Sequence, residues 1–588
     1  MKYPQLQPTV TSRSIVDTFL GYNHNARISD GEFYDMRNLV SDVSPVLSPR
    51  KARGLFLQSG NVHGMISKDS LCYIDGSYFV MNAYRVDMGL STADDDCPKQ
   101  LISMGAYVII LPDKKYINTA NLTDWGNIDA EVTTTAPVTF SPCKQDGTAF
   151  SPNYIQPTEP EGPENMALWM DTSSTPHSLK QWSESAGMWS SIATTYVRIQ
   201  CPGIGKAFSQ YDGITITIPD GLTADSADQL KELNGSAIVY AMDDDSITVV
   251  GLLDEETTIE EHITVSRKMP VMDFVIENDN RLWGCRYGQN NNGDVVNELY
   301  ACKLGDFRNW NCYMGISTDS YAVSLGSDGQ FTGAITHAGY PIFFKENCMH
   351  KVYGQIPANF QVQTTACRGV QKGCSRSLAI VNEILYYKSQ HAICAYDGSL
   401  PAEISYSLGD VQYCNAVAGA HGNKYYVSMQ NTTSGEWDFL VYDTAKGMWH
   451  KEDNLQAAQL CSCRDDLYCS LPDGKIITIL GSGEAYEENV AWMAQTGIIN
   501  ASLPERQYLQ RISIRMILEP GSQVSILVQY DSCGEWENLG NMVGSNLRSF
   551  TFPVRPRRCD HLRLRIEGIG KAMIFAITKT ISGGSDKT

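Results

Sequence analysis

The chain of 588 residues is 43% apolar and 10% aromatic, and its formal net charge is −20. It is too long for one hydrophobic core, so roughly two to four domains are expected. So acidic a total argues against a protein that grips nucleic acid through phosphate contacts. No apolar run approaches ~18 residues and no basic-plus-apolar stretch opens the chain at Met1, which predicts neither a membrane span nor a secretion signal.

Thirty Tyr, runs of Thr, Val and Ile and frequent Gly turns predict β structure, and 226–233 is one of the few segments that could form even two helical turns. In chain order, residues 1–60 read as an extended N-terminal leader. Residues 61–130 then hold the first two copies of a recurring unit, at 66–75 and 101–113. Each copy is a short apolar strand, a polar turn and a second apolar strand, often followed by an Asp or Gly turn. Residues 131–266 read as an acidic inserted β domain with a linker. Its 133–163 stretch is rich in Pro, Thr, Ser and Gly, and alternating strands follow at 211–219, 236–241 and 246–251.

The units resume across 267–485, at 271–286, 333–354, 378–397, 417–443 and 458–479. Their spacing of roughly 35–60 residues is close to that of propeller blades. Residues 486–588 read as a C-terminal β-sandwich, from period-two alternation at 508–518, 523–530 and 561–568, ending in a flexible tail. The expected fold class is all-β: a β-propeller with an inserted small β domain and a C-terminal β-sandwich.

The seventeen Cys are odd in number and irregular in spacing, and Cys72, Cys285, Cys348 and Cys394 sit inside apolar strands. Buried free thiols fit this pattern better than disulfides. Cys461, Cys463 and Cys469 lack the paired CxxC spacing of a zinc site, so no metal and no cofactor is expected. Charge is uneven: 131–264 holds 20 Asp/Glu against 5 Lys/Arg, a local −15, whereas 487–588 holds 12 Lys/Arg against 10 Asp/Glu. Plain solubility accounts for the acidity, as does a surface that repels DNA.

Four turns end in Gly-x-Trp, which predicts Trp189, Trp437, Trp449 and Trp536 as structural caps on strand pairs, with a carbohydrate platform as the functional alternative. Asp273, Asp397 and Asp443 lie at strand ends where glycosidase carboxylates could stand, yet turn chemistry explains each. The segment 201–206 lacks the length and terminal Ser/Thr of a phosphate loop. His561 beside Asp560 reads as a polar pair at a strand edge rather than half of a triad. Arg555, Arg557, Arg558, Arg563 and Arg565 form the main basic concentration and are a possible subunit interface. No catalytic residue is expected.

The leader 21–50, GYNHNARISDGEFYDMRNLVSDVSPVLSPR, resembles the opening of propeller-type tail proteins of tailed bacteriophages, the tail nozzle or packaged-DNA stabilisation proteins. The stretches at 271–284, 300–310 and 341–354 share that resemblance. It implies a non-enzymatic virion structural protein, made in the bacterial host cytoplasm and placed in the virion tail. It also implies a homo-oligomeric ring, hexameric in that family, below portal and adaptor proteins. Such a ring would retain packaged double-stranded DNA and conduct it without sequence-specific binding or membrane insertion. The alternative class is a receptor- or glycan-binding propeller protein at a tail tip or cell surface, which an exposed cluster of Trp and Tyr would favour. A glycosidase, the third class, needs two close inward carboxylates.

Overall fold

In the computed structural model, residues 11–58, 60–92, 99–220, 222, 227–290, 293–499, 507–555 and 557–583 are described, and they form an all-β, multi-sheet protein. The one α-helix among them, Ala227–Glu232, is short. The tail beyond Gly583 lies outside the described residues.

Seven successive antiparallel sheets dominate. They run 62–87, 100–127, 274–324, 333–366, 379–403, 413–451 and 459–485, and in the first six each of four strands pairs with the next along the chain. The two-residue hairpin turns that connect them place both central residues at positive φ, as at Asn82–Ala83, Asp279–Asn280 and Asn382–Glu383. This is the turn geometry that matches strand twist. Second strands such as Tyr107–Leu111 and Tyr340–Lys345 are nearly continuous apolar runs buried on both faces. A sheet flanked by neighbours on both sides requires that composition.

The first strands of these sheets touch in succession and close a cycle. Val62–Ser67 contacts Gln100–Met104, which contacts Phe274–Asn278 and then Gly333–His337. The cycle continues through Ser375–Ser377 and Ala379–Val381 to Tyr413–His421 and Gln459–Cys463, and the last returns to Val62–Ser67. Side chains that imitate backbone stitch the neighbours together. Gln100 donates to Val275 O (2.6 Å) and accepts its N–H (3.2 Å), and Gln459 does the same to Met65 at 2.8 Å each way. Each stitch satisfies two buried backbone groups that a break between sheets would leave unpaired.

The seventh sheet is completed from the other end of the chain. Gly54–Leu57 pairs antiparallel with Ile476–Thr478, so Leu55 lies opposite Ile477. Only glycine fits at position 54, because an added Cβ would stand 1.9 Å from Ser482 O. Arg50 and Arg53, just before that strand, hold a buried charge cluster. Arg53 reaches Asp453 (2.7 Å) and Glu452 (2.9 Å), and Arg50 reaches Glu487 (2.6 Å). Burial works against the charges of Asp453 and Glu487, yet the two guanidiniums hold both below the ordinary carboxylate range. Burial keeps Glu452 above it.

Residues 11–57, read from sequence as an extended leader, are strands spread over three sheets. Thr11–Val16 pairs with Ala572–Gly583, and Glu32–Arg37 pairs with Ala491–Thr496. Both join a nine-stranded sheet with the C-terminal strands. Gln507–Tyr530 bends within that sheet: before Leu518 its neighbour is Ala572–Gly583, and from Gln523 it is Leu562–Ile569. Phe19, Tyr22, Phe33, Met36 and Leu39 fill the space between this sheet and sheets four to six, in one continuous core.

Residues 130–267 form three further sheets. Two share a core around Phe140, Ile199, Ile216, Ile247 and Val265. Within 133–163, read as a linker, Val138–Cys143 and Tyr154–Gln156 are strands. Prolines on either side of these short runs mask their pattern. The insertion is pinned to the third sheet of the cycle through buried Asp212, which accepts from Asn309 Nδ2 (2.8 Å) and pairs with Arg267. Gly213 meets the same sheet so closely that a Cβ would stand 2.1 Å from Asn311 O.

Candidate functional site: an aromatic sheet face

The third sheet of the insertion has four short strands, Tyr154–Gln156, Leu168–Asp171, Ser178–Ser183 and Met188–Ser191. Register puts Tyr154 beside Trp169, Trp169 beside Lys180, and Trp182 beside Trp189. Because side chains alternate faces with period two, all of these project from one side. Trp189 is the hub. Its ring makes edge-on or tilted contacts with Trp169 (5.4 Å), Trp182 (5.5 Å) and Tyr154 (6.3 Å between centroids).

Trp169 is buried, whereas Trp182, Trp189 and Tyr154 are half-exposed. Trp169 Nε1 donates to Gln156 O at 2.9 Å, while Trp189 Nε1 has no acceptor. A charged pair borders the rings: Lys180 Nζ lies 4.6 Å over Trp169 and 2.7 Å from Asp171 Oδ2. The hydrogen bond from Lys180, with two from Ser173, lowers the Asp171 carboxyl to about 2. The sheet is moored by His177 Nδ1, 2.9 Å from both carboxylate oxygens of Asp254. The result is an apolar cluster of three partly exposed rings, steeply inclined to one another, with a fixed ammonium and carboxylate at its margin. Such a face can pack the CH side of a sugar ring while the polar pair meets its hydroxyls.

Sequence reasoning singled out Trp189 alone of this group. The signal for the rest was density: Trp169, Trp182 and Trp189 are three of ten Trp, within 21 residues. The other Gly-x-Trp positions have different surroundings. Trp449 is buried and donates to Ile404 O (2.8 Å), Trp437 begins a strand of the sixth sheet, and Trp536 stacks on Arg565 at 4.0 Å. Gly187, Gly435, Gly447 and Gly534 all have positive φ.

The arginines of the basic group differ in their surroundings. Arg555 is exposed, Arg557 and Arg558 lie over Tyr530 and Tyr508, Arg563 lies over Tyr34, and Arg565 donates to Gln495 (2.7 Å).

The candidate carboxylates lie on three separate sheets. Asp273 accepts from Arg286 (2.9 Å) and Tyr287 N (2.8 Å), and Asp397 from Ser399 N and Oγ (3.0 and 2.6 Å). Asp443 accepts from Ser41 Oγ (2.5 Å) and borders a cavity of about 390 Å³. Asp42, in the same cavity, is paired with Lys424. In the first strands of the cycle, Glu277 is the one carboxylate. The structure does bring Ser532 Oγ to 2.7 Å from His561 Nε2, with His561 Nδ1 3.3 Å from Asp560. That connectivity suits a nucleophile, but the group stands on an exposed turn, and none of the cavities described here is lined by it. Among the described residues no group of three His, Cys, Asp or Glu could hold a metal, and no helix is long and apolar enough to cross a membrane.

No family model and no curated protein matches this chain. Among solved structures it is similar to an arabinoxylan arabinofuranohydrolase of glycoside hydrolase family 43 from Bacillus subtilis, at 8% identity and a TM-score of 0.19, over 52% of this chain and 94% of that one. An exo-β-1,3-galactanase from Phanerochaete chrysosporium matches with the same identity, coverage and TM-score. A structure described as a glycoside hydrolase matches at 11% and 0.20, over 51% of this chain and 96% of that one. At such scores the likeness assigns this chain neither an activity nor a substrate.

These findings correct the tail-nozzle reading. The matching structures are named as glycoside hydrolases rather than phage tail proteins, and no family model or curated protein ties the chain to a virion. The non-enzymatic assignment, read from the lack of a motif-grade catalytic set as well as from that resemblance, is withdrawn too: the similar structures named above are those of enzymes. The resemblance misled because its motifs are turn and strand signals, which any sheet-rich chain supplies.

Proposed function

We propose that this chain is a glycan-binding protein built on a seven-bladed β-propeller, with the Trp182–Trp189–Tyr154 face as its sugar platform. The closed cycle of first strands and the completion of the last sheet by Gly54–Leu57 support the propeller. The bend of Gln507–Tyr530 between two partner strands supports a C-terminal sheet folded into the two layers of a sandwich. The observation that carries the functional reading is the half-exposed aromatic cluster itself. Three partly exposed rings gathered around one indole on a small sheet, beside an ion pair, form the kind of surface on which a sugar ring stacks.

The test is a binding screen of the purified chain against immobilised cello-, xylo- and galacto-oligosaccharides, repeated with Trp182→Ala and Trp189→Ala. Binding by the wild type and a loss of tenfold or more in each variant support the platform. Equal binding by all three proteins places the sugar elsewhere, and no binding to any probe removes the reading for neutral glycans.

A further inference from the structure

The nine-stranded sheet has an outer face whose chemistry differs from that of the rest of this acidic chain. Arg13 lies opposite Thr580, which lies opposite Arg511, so three strands build one row. Two residues along Gln507–Tyr530 comes Ser513, and two further comes Arg515, while Ile512 and Ile514 between them are buried. Arg511 and Arg515 are exposed. Each spends a donor on a neighbouring hydroxyl, Thr551 Oγ1 (3.1 Å) and Ser549 Oγ (3.1 Å), which holds the guanidinium along the sheet. Among the described ion pairs none involves Arg13, Arg511 or Arg515, so most of their donors remain unspent.

The insertion carries the complement. Its five-stranded sheet ends in the edge strand Thr257–Ile259. Glu256, Thr258 and Glu260 are exposed there while Ile259 is buried, so the three line the outer side of the edge. No described ion pair involves either glutamate. The two glutamates are four residues apart, as are the two arginines. The arginines, within one continuous strand, are about 13 Å apart, and the glutamates flank the short strand Thr257–Ile259 at the same sequence spacing.

We infer that the Arg511–Ser513–Arg515 ridge of one copy docks on the Glu256–Thr258–Glu260 edge of a second copy. Each guanidinium meets a carboxylate, with Ser513 and Thr258, whose hydroxyls already bond to Thr551 and Thr139, lying between them. The two surfaces are different parts of the chain, so the contact is head-to-tail and generates a closed ring or an open filament rather than an isologous dimer. The inference is independent of sugar binding. A polyanion is the competing occupant of the arginine ridge, but the matched spacing and the acidic segment within the same chain favour a second copy.

Sedimentation velocity of the full chain at low and high salt, with charge-reversed variants, tests it. The wild type should associate at low salt and dissociate as salt rises. Both Arg511→Glu/Arg515→Glu and Glu256→Arg/Glu260→Arg should weaken association at least tenfold, with circular dichroism unchanged because all four side chains are exposed. Mixing the two variants should restore a complex, since reversed charges again oppose each other. A variant that misfolds is replaced by Arg511→Ser/Arg515→Ser or Glu256→Gln/Glu260→Gln, for which the same weakening is expected. A wild type that stays monomeric at low salt overturns the contact. So does association that survives the glutamate reversal while the arginine reversal abolishes it, or a mixture that fails to associate.

Discussion

Aromatic residues are used in two ways in this molecule. In the cycle of seven sheets they are mortar: Trp449, Tyr387, Tyr425, Phe343 and Phe439 are fully buried between neighbouring sheets. In the small sheet at 154–191 they are surface, with Trp182, Trp189 and Tyr154 half-exposed around a buried Trp169. The inner strands of these sheets are buried on both sides, so a large ring placed there is enclosed, whereas rings on outer strands, such as Tyr84 and Trp125, stand singly exposed. The small sheet has a free side, and a ring left on it costs stability unless something covers it. The clustering of partly exposed rings around Trp189, rather than exposure alone, is the reason to look for function in the insertion.

Truncating a ring in the cycle should have the largest effect and should leave recognition alone. Trp449→Ala removes a fully packed indole and its bond to Ile404 O, and is expected to cost about 3–5 kcal/mol in chemical denaturation. Sugar binding per folded molecule should not change. A loss of similar size is expected for Arg53→Met, which leaves buried Glu452 and Asp453 with only their longer pairs to Arg50 where the chain closes the cycle. Should Arg53→Met leave the denaturation midpoint unmoved, the charge cluster does not fasten the closure.

An intermediate effect comes from mild acid, near pH ~5.5. Burial lowers His350 to about 4 and His450 to about 3, both within the cycle. A histidine with a depressed folded pKa gives full stability above its unfolded value near ~6.5 and loses it as pH falls toward the folded value. Each should therefore cost roughly 1.4 kcal/mol per pH unit on descending from about 6.5 to about 4. Urea midpoints across that range check this, and His450→Gln should flatten the slope.

The smallest stability change and the largest recognition change belong together. Trp182→Ala should cost about 1 kcal/mol, the scale of an aromatic pair, while lowering sugar affinity at least tenfold. Asp171→Asn should release Lys180 and weaken binding by a few-fold with little effect on the midpoint. Both are read by calorimetric titration beside a denaturation curve.

Much of the cycle was legible because its second strands announce themselves as continuous apolar runs between Asn, Asp and Gly turns, as at 107–111 and 384–387. Its closure was not. Gly54–Leu57 is four residues long and pairs with a partner more than 400 residues away, which no local pattern encodes. The same limit hid the strands of 11–37, whose partners lie at the other end of the chain. For the aromatic cluster, Gly187-Met-Trp189 was visible as a turn and was read as a structural cap, with a carbohydrate platform as the alternative. Tyr154 was lost inside a proline-rich stretch, and the meeting of Trp169, Trp182 and Trp189 depends on a register that only pairing defines.

The most direct measurement is a fluorine NMR titration of the protein labelled with 5-fluorotryptophan, using the oligosaccharide that binds best in the screen. The chain has ten Trp, and Trp→Phe substitutions assign their signals. The account predicts that Trp182 and Trp189 shift on saturation while Trp449 and Trp283, buried in the cycle, stay in place. Shifts confined to the cycle, with Trp182 and Trp189 unmoved, would contradict it.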